Sequence, residues 1–190
     1  MFRFATYAKL GLHNLTIVGM DGREYRIKNG SRTELDYYFT RCRAIGFYFQ
    51  FPDKYHPVAH AFFCKLSGVS EFWAQYCPVS ILLELASRKL LTTKIFPPAV
   101  ISTGILGGYL RFIARNQGCL GGHKFTPHSL RIGGHTFFSI KNIDADFLHF
   151  LGRRAISRVC QLYYRARAYD NLVRLNMFFR SICAHHILQL

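Results

Sequence analysis

The residues best suited to chemistry lie in one short run, Thr126-Pro127-His128-Ser129-Leu130-Arg131. Thr126 is a good helix cap and Pro127 suits the first helical position, so we expect a helix to begin here. His128 and Arg131 are three residues apart and share one face of that helix. An imidazole and a guanidinium beside the amides of a helix start form a site that attracts phosphate. Many helices with this pattern bind nothing, so that alternative stays open.

Periodic patterns outline the elements that would position this helix. The first half favours strands: a hairpin turning at Asp21-Gly22, a strand at 47–51 that ends at the turn Pro52-Asp53, and a returning strand at 60–66. The second half favours helices that begin at Pro78, near Ile105 and at Pro127, followed by segments at 144–152, 157–166 and 170–187. The predicted fold class is α+β, a small antiparallel sheet packed against a mainly helical bundle.

Charge and composition limit the partners. Among 190 residues, 25 Lys and Arg face 10 Asp and Glu, which gives a net charge of +15. A surface this basic favours a polyphosphate partner, with a membrane surface as the rival. No apolar run is long enough to span a bilayer, and the first residues do not read as a secretory signal. The six cysteines show no CxxC pair, so we expect reduced thiols in an intracellular protein.

Further motifs carry a resemblance to a known family. His128-x-x-Arg131 at a helix start is followed by Leu151-Gly152-Arg153 and then by a tyrosine. Together they resemble the catalytic domain of tyrosine recombinases, which include the phage integrases, and the run PHSLRIGGHT is similar to transposon-borne members. The resemblance spans roughly residues 54–164. It implies an α+β catalytic fold that cuts and rejoins duplex DNA through a 3′-phosphotyrosyl intermediate, with no cofactor and no metal.

The resemblance also implies a role for each matching residue. Arg131 matches the second catalytic arginine and His128 the histidine before it, whereas Lys54 stands where the family has its β-hairpin lysine. Arg3 is the sole candidate for the first arginine, although Thr6 replaces the acid of the usual Arg-x-x-Glu motif. Arg153 occupies the position of the family's His or Trp and cannot shuttle a proton. Lys54 as an ordinary turn residue and Arg3 as a solvated terminal residue remain alternatives.

Two adjacent tyrosines are candidates for the nucleophile. Tyr163 follows Gln161-Leu162, a lead-in similar to the family's, and its distance from Gly152 is closer to the family's than that of Tyr164. Neighbours on a helix point about 100° apart, so one of the two faces the phosphate. We expect Tyr163 to be the nucleophile, whereas either ring also suits an ordinary helix anchor.

The family comparison also predicts organisation and partners. We expect residues 1–190 to form one catalytic domain that lacks the family's N-terminal core-binding domain. The apolar stripe of the last helix either packs on its own domain or docks on a neighbouring subunit, giving a homo-oligomer on DNA. A nuclear location is expected in a eukaryotic host.

The alternatives in function are an inactive DNA-binding remnant of a mobile element and a basic membrane-surface protein. His56, His60 and Cys64 are four residues apart, but on a strand they would not close a zinc site.

Overall fold

The computed structural model describes residues 11–51, 59–69, 71–89, 91, 102–141, 143–151 and 166–187. The fold is α+β, as expected from the sequence. The elements divide into two compact units. Among the described residues, a sheet unit holds the four strands and a helical unit holds three consecutive helices, and each unit is described by itself below.

The sheet unit is built on four antiparallel strands in the order β2-β1-β3-β4. The strands are β1 (Leu15–Val18), β2 (Glu24–Arg26), β3 (Gly46–Phe51) and β4 (Ala59–Cys64). The predicted hairpin is confirmed: Thr16 pairs with Arg26, and the turn closes where the Gly19 N–H donates to the Arg23 carbonyl at 2.8 Å. Gly22 has a φ of 76° in this turn, a conformation that favours glycine. The strand at 47–51 and its returning partner are confirmed as β3 and β4.

In the described part of the sheet unit, the α-helices are α1 (Arg32–Asp36), α2 (Glu71–Ala74), α3 (Pro78–Ser87) and α7 (Ala168–Ile187). A π-helical turn, Tyr37–Arg41, continues α1. The helix start at Pro78 is confirmed, whereas α1 was not predicted. The local signal for α1 is a Ser31-x-x-Glu34 capping sequence, in which the Ser31 hydroxyl accepts from the Glu34 N–H at 3.2 Å.

The described part of the last helix shows what several residues of its apolar stripe contact. Helix α7 packs on β4 and β3 of its own chain, and Leu172, Leu175 and Ile182 are buried. These three residues of the apolar stripe therefore pack within their own chain. Close packing is possible because Gly46 has no side chain: a Cβ there would lie 2.9 Å from Leu172 Cδ2. An oligomer on DNA stays a prediction.

The cysteines and the helices bear on two further expectations. Five cysteines in the described part of the chain are free; Cys64, Cys77 and Cys183 are buried, whereas Cys119 is exposed. Burial raises the pKa of the Cys64 thiol to about 12.

Among the residues that the structure describes, no helix has both the length and the apolar character needed to cross a bilayer.

The helical unit contains α4 (Thr103–Asn116), α5 (Pro127–Ile140) and α6 (Ala145–Leu151). A short 3₁₀ turn, Gly122–Lys124, lies between α4 and α5. All three helices were predicted, and α5 begins and ends where the sequence placed it. Asp144 caps α6, as predicted, by accepting from the Phe147 N–H at 2.7 Å. The predicted segment 157–166 lies almost wholly outside the described residues.

Candidate phosphate-binding site

The candidate site is built on the first two turns of α5. Thr126 is extended, with φ −131° and ψ 165°, so the chain enters the helix sharply. The Ser129 N–H donates to the Thr126 carbonyl at 2.9 Å, and the Ser129 hydroxyl accepts from the Thr126 N–H at 3.1 Å. Pro127 occupies the first helical position with its ring already set for helical backbone. These local contacts determine where the helix starts and thus which side chains occupy its first turn.

One face of α5 carries three side chains that suit phosphate chemistry. At about 100° per residue, His128, Arg131 and His135 lie within about 60° of one another around the helix. His128 is exposed, whereas Arg131 and His135 are half-buried. The predicted pairing of His128 with Arg131 on one face is confirmed. His135 was not predicted as a site residue, although its spacing of seven residues from His128 indicates that both lie on the same face of the helix.

Contacts of His135 show which way this face is turned. The His135 ring stacks near the ring of His149 on α6, with centroids 6.0 Å apart and planes 27° apart. Ser139, one turn further along α5, donates its hydroxyl to the His135 carbonyl at 2.9 Å. The face that carries His128 and Arg131 is therefore on the side of α5 that adjoins α6. Helix α6 ends at Leu151, two residues before Arg153.

Helix α4 holds the entry to α5 in place. Arg111 on α4 donates from Nη1 to the carbonyl of Phe125, the residue before the Thr126 cap, at 3.3 Å. A Cβ at Gly107 would lie 3.2 Å from that Nη1 and 3.5 Å from Pro127 Cδ, so Gly107 faces both the guanidinium and the start of α5. Arg111 is thus a positioning residue that the sequence did not identify, because its contact joins segments 14 residues apart.

The electrostatic setting of the site comes from an uneven distribution of acids. Residues 85–143 contain no Asp or Glu, and the described stretch 102–141 within them carries five Lys and Arg side chains: Arg111, Arg115, Lys124, Arg131 and Lys141. The first turn of α5 likewise has no acidic residue. The amide groups at a helix start carry a partial positive charge. The segment itself therefore contributes positive charge and no carboxylate.

The other predicted site residues cannot be placed beside this pair. Tyr163, Tyr164, Lys54, Arg153 and Arg3 lie outside the described residues. Their roles, and the expectation that all of them converge on one cleft, stay predictions. The structure describes His128 and Arg131 alone among the predicted catalytic residues, and both lie on one face of α5.

Two remaining observations concern ligands and relatives. Within the described ranges, no group of three or more His, Cys, Asp or Glu side chains is arranged to hold a metal ion. His60 lies on β4 with its ring centroid 4.5 Å from that of Tyr48, and Cys64 is buried on the same strand.

No family model, curated protein or solved structure matches the chain.

Proposed function

We propose that the chain is the catalytic domain of a tyrosine recombinase, which cleaves and rejoins DNA through a 3′-phosphotyrosyl intermediate. The observation that carries the proposal is the start of α5, where His128 and Arg131 share one face. That face lies in a segment without carboxylates, which suits a doubly esterified phosphate and its developing negative charge. The resemblance of the surrounding motifs to this family supplies the reaction.

The transition state explains why these residue types are needed. Negative charge gathers on the two non-bridging oxygens of the phosphodiester as the nucleophile attacks. The Arg131 guanidinium binds both oxygens through paired N–H groups and stays protonated throughout. His128, at the exposed first turn of α5, is placed to accept or donate a proton near the same phosphate.

The remaining steps rest on residues assigned by resemblance. The Tyr163 oxygen attacks phosphorus and loses its proton to His128, so that a tyrosine–phosphate bond forms. The bond to the 5′-oxygen breaks, and Lys54 protonates that oxygen to give a free 5′-hydroxyl. A 5′-hydroxyl then attacks the phosphotyrosine and restores both the DNA backbone and the tyrosine. The covalent link conserves the bond energy, so no nucleotide is consumed.

The same residues also support a DNA-binding protein that has lost its chemistry. Arg153 replaces the proton-transferring His or Trp of the family, and Thr6 replaces the acid beside the first arginine. A protein of this kind keeps the basic surface and the start of α5 but forms no covalent bond. The two candidates therefore differ in one measurable product, the DNA–tyrosine adduct.

The test is a covalent trap whose substrate pool covers many target sequences at once. Each duplex has a randomised centre with a nick beside this region. Cleavage releases the short strand between the cut and the nick, and the loss of this strand prevents rejoining. The full chain is incubated with this pool, and adducts that survive denaturing electrophoresis are recovered and sequenced. Tyr163→Phe is expected to abolish the adduct and leave DNA binding unchanged, whereas Tyr164→Phe is expected to lower it modestly.

A second pair of variants tests the described part of the site. Arg131→Lys keeps the charge but loses paired donation, so we expect a drop in adduct formation of about 100-fold or more. Lys141→Arg, at the opposite end of α5, is the matched control and should retain full activity. An adduct that survives both tyrosine changes would refute the assignment. DNA binding without any adduct in the unaltered chain would favour the inactive DNA-binding protein.

A further inference from the structure

Helix α4 exposes three large apolar side chains and buries two small residues. Ile105, Tyr109 and Phe112 are 57%, 62% and 60% exposed, whereas Gly107 and Ala114 are buried. With about 100° per residue, the first three lie on the side of the helix opposite the other two. Gly122 packs against Ala114, where a Cβ would come within 2.8 Å of the alanine Cβ, so the small residues form the inner contact.

The composition of the exposed side of α4 is typical of a surface that binds a ligand. Apolar side chains exposed together, with charged residues around them, are typical of interaction sites. Tyr109 and Phe112 are three residues apart, so their side chains are neighbours on adjacent turns. Arg115 is a further three residues along and is also exposed, which places a cation beside the second ring. The aromatic face is defined here as Tyr109, Phe112 and Arg115.

Charge complementarity selects the partner. The aromatic face lies in the segment 85–143, which has no carboxylate, so a second copy of the same face would bring arginines together without counter-charges. An anionic partner is favoured instead. In duplex DNA the flat faces of the bases are occupied by stacking, so exposed rings gain little there. Unpaired bases offer those faces, and their phosphates pair with arginine.

We propose that the aromatic face of α4 binds an unpaired nucleic-acid strand, with successive bases stacked on Tyr109 and Phe112 and a phosphate held by Arg115. The proposal goes beyond the recombinase function and does not depend on Tyr163, because it concerns binding and not cleavage. Its failure is therefore distinguishable from a failure of the proposed chemistry.

The test measures the affinity of the full chain for a fluorescein-labelled oligothymidylate of 15 nucleotides by anisotropy, beside a labelled duplex of equal length. Tyr109→Ala and Phe112→Ala are each expected to weaken single-strand binding by roughly 5- to 150-fold. Duplex affinity should stay within about twofold, since phosphate contacts dominate it. Tyr37→Ala, at a tyrosine of the sheet unit that is 56% exposed, is the matched control and should change neither affinity.

Conservative variants separate stacking from general apolar contact. Tyr109→Phe retains the ring and should bind the oligonucleotide as tightly as the unaltered chain, whereas Tyr109→Leu keeps apolar area and should bind weakly. Thermal melts should be unchanged, because the ring is mostly in solvent. Equal binding by Tyr109→Leu and the unaltered chain would overturn the proposal. So would alanine variants that turn a dimer into a monomer while single-strand affinity stays the same, which would identify this face as a self-association surface.

Discussion

Replacement of Tyr48 by Phe should change how the stability of the sheet unit depends on alkaline pH. Tyr48 lies on β3, is 5% exposed, and donates its hydroxyl to Oε2 of Glu24 at 2.9 Å. Burial of the phenol, followed in importance by the hydrogen bond to Glu24, raises the pKa of Tyr48 to about 12. An unfolded tyrosine has a pKa near 10.

The direction of the effect follows from proton binding. Between about pH 10 and 12 the folded chain keeps the Tyr48 proton while the unfolded chain releases it, so the folded state binds more protons. The contribution of the protonated phenol to stability is therefore complete below pH 10 and is lost as pH rises through 12. With 1.36 kcal/mol per pKa unit, the two-unit shift corresponds to at most about 2.7 kcal/mol of the free energy of unfolding.

The phenylalanine variant has a cost of its own at neutral pH. It removes one hydrogen bond to a carboxylate that is exposed and can be hydrated instead, so we expect a loss of about 1 kcal/mol. The variant has no group to titrate at this position. The stability difference between the two proteins should therefore shrink above pH 10 and reverse its sign before pH 12. Subtraction cancels the tyrosines that both proteins share.

Urea unfolding followed by circular dichroism between pH 8 and 12 measures this difference. Glu24→Gln is the companion variant: it keeps an acceptor but removes the charge, so its alkaline loss should be smaller than that of the unaltered chain. Parallel curves for Tyr48→Phe and the unaltered chain across pH 10–12 would refute the reasoning, because they would show that Tyr48 titrates alike in the folded and unfolded states.

Further predictions concern packing, thiols and DNA. Gly46→Ala should cost about 2–3 kcal/mol in urea unfolding, because the new Cβ would collide with the Phe63 carbonyl oxygen. The control Gly133→Ala, where an added Cβ would meet nothing within 4 Å beyond the adjacent backbone of its own helix, should stabilise α5 by up to about 1 kcal/mol. Iodoacetamide should label exposed Cys119 in the native chain long before Cys64, whose pKa of about 12 leaves almost no thiolate; mass spectrometry of peptides reads this out, and equal labelling would contradict it. The logarithm of duplex affinity should fall linearly with that of salt concentration, and a slope near zero would exclude a phosphate-dominated interface. Under the proposed mechanism, guanidinium groups stabilise the phosphate charge in place of a metal, so adduct formation should be unchanged by a chelator; abolition would contradict the recombinase proposal.

Local sequence signals were sufficient for most of the elements. Asp21-Gly22 indicated the hairpin, and Thr126-Pro127 and Asp144 indicated two helix starts, because turns and caps are made by residues close together in the chain. The pairing of His128 with Arg131 on one face followed from the same local geometry. The capping sequence at Ser31 is equally local, so α1 also begins at a signal made by neighbouring residues.

Which side of each helix is buried depended on tertiary contacts. Periodicity in α4 predicted a helix from Ile105, Tyr109 and neighbouring residues, yet these side chains are exposed because the inner contact uses Gly107 and Ala114. A periodic pattern identifies a face but carries no information about what covers it.

The sequence also did not predict which segments pack around the candidate site. The stacking of His135 on His149 and the bond from Arg111 to the Phe125 carbonyl join separate segments. The apolar stripe of α7 had two possible partners, and Leu172 packs on the sheet of its own chain at Gly46, where an added Cβ would lie too close to it. The sequence by itself determined local backbone conformation and charge, since both depend on neighbouring residues. Only the tertiary structure decided which surfaces meet, because that choice depends on the shapes of distant segments.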